Sequence, residues 1–233
     1  MTFNVLFISA TVVLYGSLVN LLPHKILYEY KLYALINIIF LAFLWMLNKD
    51  LTLSSLGISS VNLFNSILLG LIIGSLTAIT GILLMLFKGK DIKLSDPRIF
   101  FLQSPLMLVY GIFIHILIGT VLFEEAVHRG IVLARFQEIT TPLYAVLLSS
   151  LVFAAWHIVS TIRLIFPTIT SNIHTLYLQY FSFLGIIFLM FMGGIVFSWI
   201  RIYSGNIAGS VVAHGLINSI TLIAFYILNK QKK

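Results

Sequence analysis

The stretch 121–133 reads VLFEEAVHRGIVL. Adjacent carboxylates, Glu124 and Glu125, stand with His128 and Arg129 in an otherwise apolar run. An ionised side chain near a bilayer centre costs about 2.5–3.5 kcal/mol on insertion scales, so such groups persist where they face a bundle interior or a wet cavity. On a helix, Glu125 and Arg129 are four apart and share a face, and Glu124 and His128 share the neighbouring one. Arg129 can neutralise and orient Glu125, which leaves Glu124 free for acid–base chemistry. A lone Glu–Arg pair equally suits an interfacial ion pair that ends a helix. The second carboxylate favours chemistry, because one Arg does not need two.

Two further polar sets occur in apolar surroundings. LVFAAWHIV places His157 in the middle of a helical pattern, four residues after Phe153. A single buried His more often serves a core hydrogen bond than catalysis. NIAGSVVAHGLINSI places His214 and Asn218 four apart, stacked on one face. An amide one turn from an imidazole suits helix–helix hydrogen bonding, the commoner role for such a pair alone, or stabilisation of an oxyanion. Judged together, the three sets gain most by meeting in one cavity, where they form an acid–base site with a hydrogen-bond donor cluster. Two Glu and two His also supply zinc-ligand chemistry. The HExxH signature is absent, and the expected cofactor is none, with zinc as the competing possibility.

The elements that must carry these groups follow from composition. The chain has 233 residues, 60% hydrophobic and 9% charged. A soluble domain is about a quarter charged, so these charges cannot cover a water-facing surface. The expected fold is all-α, a polytopic membrane helical bundle of about seven (six to eight) transmembrane helices, forming a single integral-membrane domain over 1–233. Apolar windows fall at 3–22, 30–47, 61–87, 104–123, 143–162, 176–200 and 207–228. The third and sixth are long and can tilt. The segment 88–98 (KGKDIKLSDPR) is the most polar and the best loop candidate, and 99–108 could form an interfacial helix. The N-terminus lacks a basic flank and a cleavage pattern, so it is expected to remain as a membrane helix. Gly70-x3-Gly74 fits close helix packing. Gly193-Gly194 suits packing, or a loosened helix for substrate access.

The net charge of +7 falls mostly in connecting segments and is assigned to orientation and lipid headgroups, not to nucleic acid. With seven spans and the N-terminus outside, Lys25, Lys31, Lys88, Lys90, Lys93, Arg98, Arg163, Lys230, Lys232 and Lys233 face inward. Lys49, Arg129, Arg135 and Arg201 face outward. This asymmetry favours N-out, C-in, with the Glu pair ending the fourth span toward the outer face. The absence of cysteine removes disulfides, thiolate zinc sites and a cysteine nucleophile.

Glu124-Glu125-x3-Arg129, Phe153-x3-His157 and His214-x3-Asn218, in this order on successive late helices, resemble the CAAX protease and bacteriocin-processing (CPBP, or Abi) family of intramembrane glutamic proteases. The resemblance covers about 123–219. It implies that Glu124, His157, His214 and Asn218 are catalytic, with Glu124 activating water, His157 positioning it, and His214 and Asn218 facing the oxyanion. It implies that Glu125 and Arg129 are supporting. The family usually has an aromatic or aliphatic residue before the Arg, and His128 departs from this. A His exposed at the membrane surface, or one that reflects a divergent substrate, accounts for it.

The implied function is an intramembrane endopeptidase, with membrane lipids around it and a membrane-anchored, lipidated or exported protein or precursor peptide as substrate. The implied setting is a prokaryotic cell membrane crossed several times. The sequence sets no oligomeric state. The alternative is a non-enzymatic membrane protein, a small transporter using the charges as a proton relay or a bacteriocin-immunity factor. The internal symmetry common in transporters is not visible.

Overall fold

The computed structural model describes residues 2–23, 32–87, 97–166 and 173–230. The described residues form helices joined by turns. Helix α1 spans Thr2–Leu21, α2 spans Leu32–Leu47 and α3 spans Leu63–Phe87. A short 3₁₀ helix, Pro97–Leu102, precedes α4, which runs Pro105–Gln137. Helices α5 (Pro142–Trp156) and α6 (Ile158–Ile165) follow, then α7 (Ile173–Ser204) and α8 (Ala208–Lys230). Five of these are long and apolar enough to cross a membrane, and the bent α5–α6 pair makes a sixth if it is one crossing. With the shorter apolar α2 this is an all-α polytopic membrane bundle. Leu35, Leu76, Ile79, Phe181 and Leu184 point outward with more than half of their surface exposed, which suits lipid rather than water.

Two sequence expectations change in detail. The start of the second window, 30–31, lies outside the described residues, as does the 88–96 part of the expected loop. The fifth window is not one straight rod, because α5 and α6 meet at 41°. The fourth window does not stop near Phe123. Helix α4 continues through the Glu pair and Arg129 to Gln137, because those charges are paired inside the bundle and need no interface to end on. Its backbone is wound as π-helix over Gly111–Leu122 and again over Ala126–Val132, with an α-helical turn, Phe123–Glu125, between them. Arg129, fully buried, also leaves the set of flanking charges. Of the other orientation charges, Lys25, Lys31, Lys88, Lys90, Lys93, Lys232 and Lys233 lie outside the described residues.

Helix starts are set locally. The Ser104 hydroxyl accepts from Met107 N at 3.2 Å, with Pro105 in the first turn of α4. Gly205, at φ +70°, ends α7 in the left-handed geometry that glycine adopts without penalty. Asn206 then caps α8, its Oδ1 accepting from Ala208 N at 2.7 Å.

The position of α8 depends on small residues. Gly70 and Gly74 of α3 lie directly against the backbones of Gly209 and Ala213 of α8. The expected Gly-x3-Gly packing is thus met by a second small-x3-small pair that the sequence reading did not single out. Ser66 of α3 reinforces the contact. Its Oγ accepts from Gly209 N at 2.8 Å and from the Ser204 hydroxyl at 3.1 Å. Gly194 of α7 packs on Ser150 of α5, and Gly16 of α1 packs on the Trp156 indole. On the other side, buried Asn37 of α2 donates to Gly119 O of α4 at 2.7 Å and accepts from the Tyr15 hydroxyl of α1 at 2.6 Å. Helices α3 and α7 therefore fix α8, while α1 and α2 fix α4.

Candidate active site

Glu124 and Glu125 sit on the α-helical turn between the π-wound parts of α4, with 4% and 0% of their surface exposed. Glu125 is engaged through one oxygen, and its Oε2 is buried without a hydrogen-bond partner among the described residues. Its Oε1 lies 3.2 Å from Arg129 Nη1 and 2.8 Å from His214 Nδ1 of α8. The i,i+4 Glu125–Arg129 pair is as the spacing predicts.

Arg129 is held by aromatic faces as well as by charge. Its guanidinium carbon lies 4.2 Å from the Phe153 ring centre and 5.1 Å from that of Phe197. Such contacts contribute about 0.5–2 kcal/mol, most when desolvated. Phe197 of α7 also stacks on the His214 ring, 5.3 Å between centres. Phe197 was not found from the sequence, because an aromatic within an apolar helix gives no signal of its own.

Glu124 occupies the opposite arrangement. Its Oε2 is buried and has no hydrogen-bond partner among the described residues. Two imidazole nitrogens face it, His157 Nε2 at 3.9 Å and His214 Nε2 at 4.0 Å. These separations exceed a direct hydrogen bond.

The backbone dictates the His157 ring. His157 sits at the break between α5 and α6, where its own N–H turns to Ala154 O at 3.0 Å instead of continuing the α pattern. That releases the Phe153 carbonyl, which lies 2.8 Å from His157 Nδ1. A carbonyl only accepts, so Nδ1 carries the proton and Nε2 presents its lone pair to Glu124. His214 follows the same logic. Its Nδ1 donates to Glu125, so in the neutral ring Nε2 is also a lone pair aimed at Glu124.

Asn218 lies one turn beyond His214 on α8, half-buried, with no hydrogen bond to the other groups. His128 departs from expectation. It is not at the membrane surface but 1% exposed, because α4 does not end at Arg129. Its ring packs edge-on against Phe153 and Trp156, at 5.0 and 5.4 Å between centres, and makes no pair with Glu124.

Among the described residues, no three His, Cys, Asp or Glu side chains are grouped to hold a metal ion.

The fold and this cluster define a polytopic membrane protein with two carboxylates, an arginine and two imidazoles gathered in its interior from α4, the α5–α6 junction and α8. Residues 105–220 match the family model described as type II CAAX prenyl endopeptidase Rce1-like, a protease family, and through this segment the chain belongs to it. The match begins at the first residue of α4 and includes every residue of the cluster. No curated protein and no solved structure matches the chain.

Proposed function

We propose that the protein is an intramembrane endopeptidase in which Glu124 activates water for attack on a peptide carbonyl. The observation that carries this reading is the convergence of two imidazole nitrogens, His157 Nε2 and His214 Nε2, on Glu124 Oε2, a buried carboxylate oxygen without a hydrogen-bond partner among the described residues. Glu125, tied to Arg129 and His214, is the structural carboxylate.

A water in this position donates one hydrogen to Glu124 and the other to His157 Nε2, which turns its lone pair to the substrate. Glu124 takes the proton as the C–O bond forms, then returns it to the leaving amine as the C–N bond breaks. Asn218 offers N–H groups to the oxyanion. His214 Nε2 can donate there only as imidazolium, and Glu125 stands as the counter-ion of that form. Loss of one such donor typically lowers the rate by about 10²–10³. Of Glu124, His214 and His157, His157 keeps the most side-chain surface, 20% against 6% and 10%, so the substrate approaches from its side. It must do so as extended chain, because a helix hides its carbonyls in hydrogen bonds.

The substrate class is a membrane-anchored, lipidated or exported protein tail. The family description favours a prenylated C-terminal tail. The test is Glu124→Gln, reconstituted in vesicles with prenylated and unmodified tail reporters. The variant should fold and lose about 10²–10⁴-fold in cleavage, the usual contribution of a positioned base. Wild-type cleavage by the variant would remove Glu124 as the base. Preference for the unmodified reporter would move the substrate to exported proteins.

A further inference from the structure

Away from the acid–base cluster, a cavity of ≈ 340 Å³ opens at the end of α7, lined by Leu51, Ser55, Ala134, Gln137, Glu138 and Arg201. Its size lies within the roughly 300–1,000 Å³ of small-molecule sites. We propose that it binds a phospholipid headgroup, with Arg201 holding the phosphate and Glu138 the headgroup amine.

Four observations support this. Arg201 is buried, with only 6% of its surface exposed. Its Nη2 donates to Ser55 O at 2.7 Å, its Nε has no hydrogen-bond partner, and no carboxylate among the described residues pairs with it. Arg135, nearby, is the contrast. It engages Asp50 at 2.5 and 2.8 Å, Asn48 at 2.7 Å and Glu138 at 2.9 Å. A guanidinium fork with spare donors is the geometry that phosphate oxygens use.

Depth is the second observation. Trp199 and Tyr203, on either side of Arg201 along α7, are 50% and 67% exposed and stack at 5.1 Å. Exposed Trp and Tyr at a helix end mark the headgroup level of a membrane, and α7 ends at Ser204. Charge balance is the third. Of the lining residues, Arg201 and Glu138 are the two that carry charge, one of each sign, so the cavity suits a group with both signs better than a net anion. Glu138 keeps 27% of its side-chain surface exposed beside its Arg135 contact. The fourth is the wall. Leu51 and Ala134 give an apolar side on which the glycerol end of a lipid can lie.

The experiment uses the full chain in detergent and native mass spectrometry. The probes are phosphatidylethanolamine and phosphatidylglycerol with the same acyl chains, with inorganic phosphate and glycerophosphoethanolamine as soluble competitors. The wild-type protein should retain phosphatidylethanolamine in preference. Arg201→Gln should lower adducts of both lipids about tenfold, the loss of roughly one strong polar contact. Glu138→Gln should keep binding and level the preference. Unchanged adducts in Arg201→Gln would overturn the proposal. So would full displacement of lipid by inorganic phosphate, which would mark a site for free anions. If Arg201→Gln fails to fold, Glu138→Gln decides alone, and an unaltered preference counts against the site.

Discussion

Gly70→Ala tests whether the α3–α8 contact holds the acid–base cluster in register. A Cβ at this position would stand 2.2 Å from Gly209 O and 2.9 Å from Gly209 C. These are backbone atoms and cannot rotate aside. Real Cβ atoms essentially never approach within 3.0 Å, so the helices must part by roughly 0.8 Å, an overpacking strain of about 1–3 kcal/mol. For a chain of this length each kcal/mol lowers Tm by about 2–4 °C. The site feels the same displacement. His214 directly follows Ala213, which lies against Gly74, and its 2.8 Å bond to Glu125 cannot stretch by that amount and stay within the about 3.2 Å limit of a good hydrogen bond. Misplacement of a catalytic group by about 1 Å can lower the rate about 10²-fold. Gly81→Ala is the control, because nothing lies within 4 Å of its added methyl. The assay pairs thermal unfolding in detergent with reporter cleavage in vesicles. If Gly70→Ala matches Gly81→Ala in both readouts, the contact does not position α8.

Glu125→Gln should lower stability by about 3–5 kcal/mol, the usual effect of leaving a buried partner charge uncompensated, because it removes the negative charge that Arg129 and His214 share; a Tm no lower than that of Glu124→Gln would contradict this division of roles. Hydrogen bonds from Arg135 hold the Asp50 carboxyl below its ordinary range. A depressed carboxylate adds stability that is complete above its unfolded value, about 3.9, and lost as pH falls through the folded one. Acidification below about pH 4 should therefore lower Tm more in wild type than in Asp50→Asn, and only slightly and salt-dependently, since Asp50 is 68% exposed; parallel Tm–pH curves for the two proteins would remove Asp50 from the account. Cleavage should survive exhaustive chelation, measured with and without added zinc; activity lost to chelator and restored by zinc would replace water activation by Glu124 alone with a metal mechanism.

The membrane class and most crossings were legible in hydropathy alone, because apolar helices must hide their backbone from lipid. The cluster was legible because Glu124, Glu125, Arg129, His157 and His214 are costly in such helices. What the sequence concealed was depth. A run of charges reads as the end of a span, whereas α4 carries the Glu pair through its interior and continues to Gln137. The same misreading put His128 at the surface. The break at His157 was also hidden, since AAWHIV contains neither Pro nor Gly. Phe197 was invisible for a different reason. Its value lies in its contacts, the Arg129 guanidinium and the His214 ring, and in an apolar helix one Phe looks like another. Gly70 and Gly74 announced a close contact without naming the partner, because Gly209-x3-Ala213 becomes meaningful only once α8 is placed.

The break at His157 insulates the chemistry from the chain beyond it. The ring is anchored to Phe153, on the α5 side, so its aim is decided before the chain turns. Helix α6 can then change direction, length or outer residues without re-aiming the imidazole. Tolerance to variation should therefore be lopsided about this one joint, generous downstream and strict upstream, and substrate-shaping changes have room on the generous side.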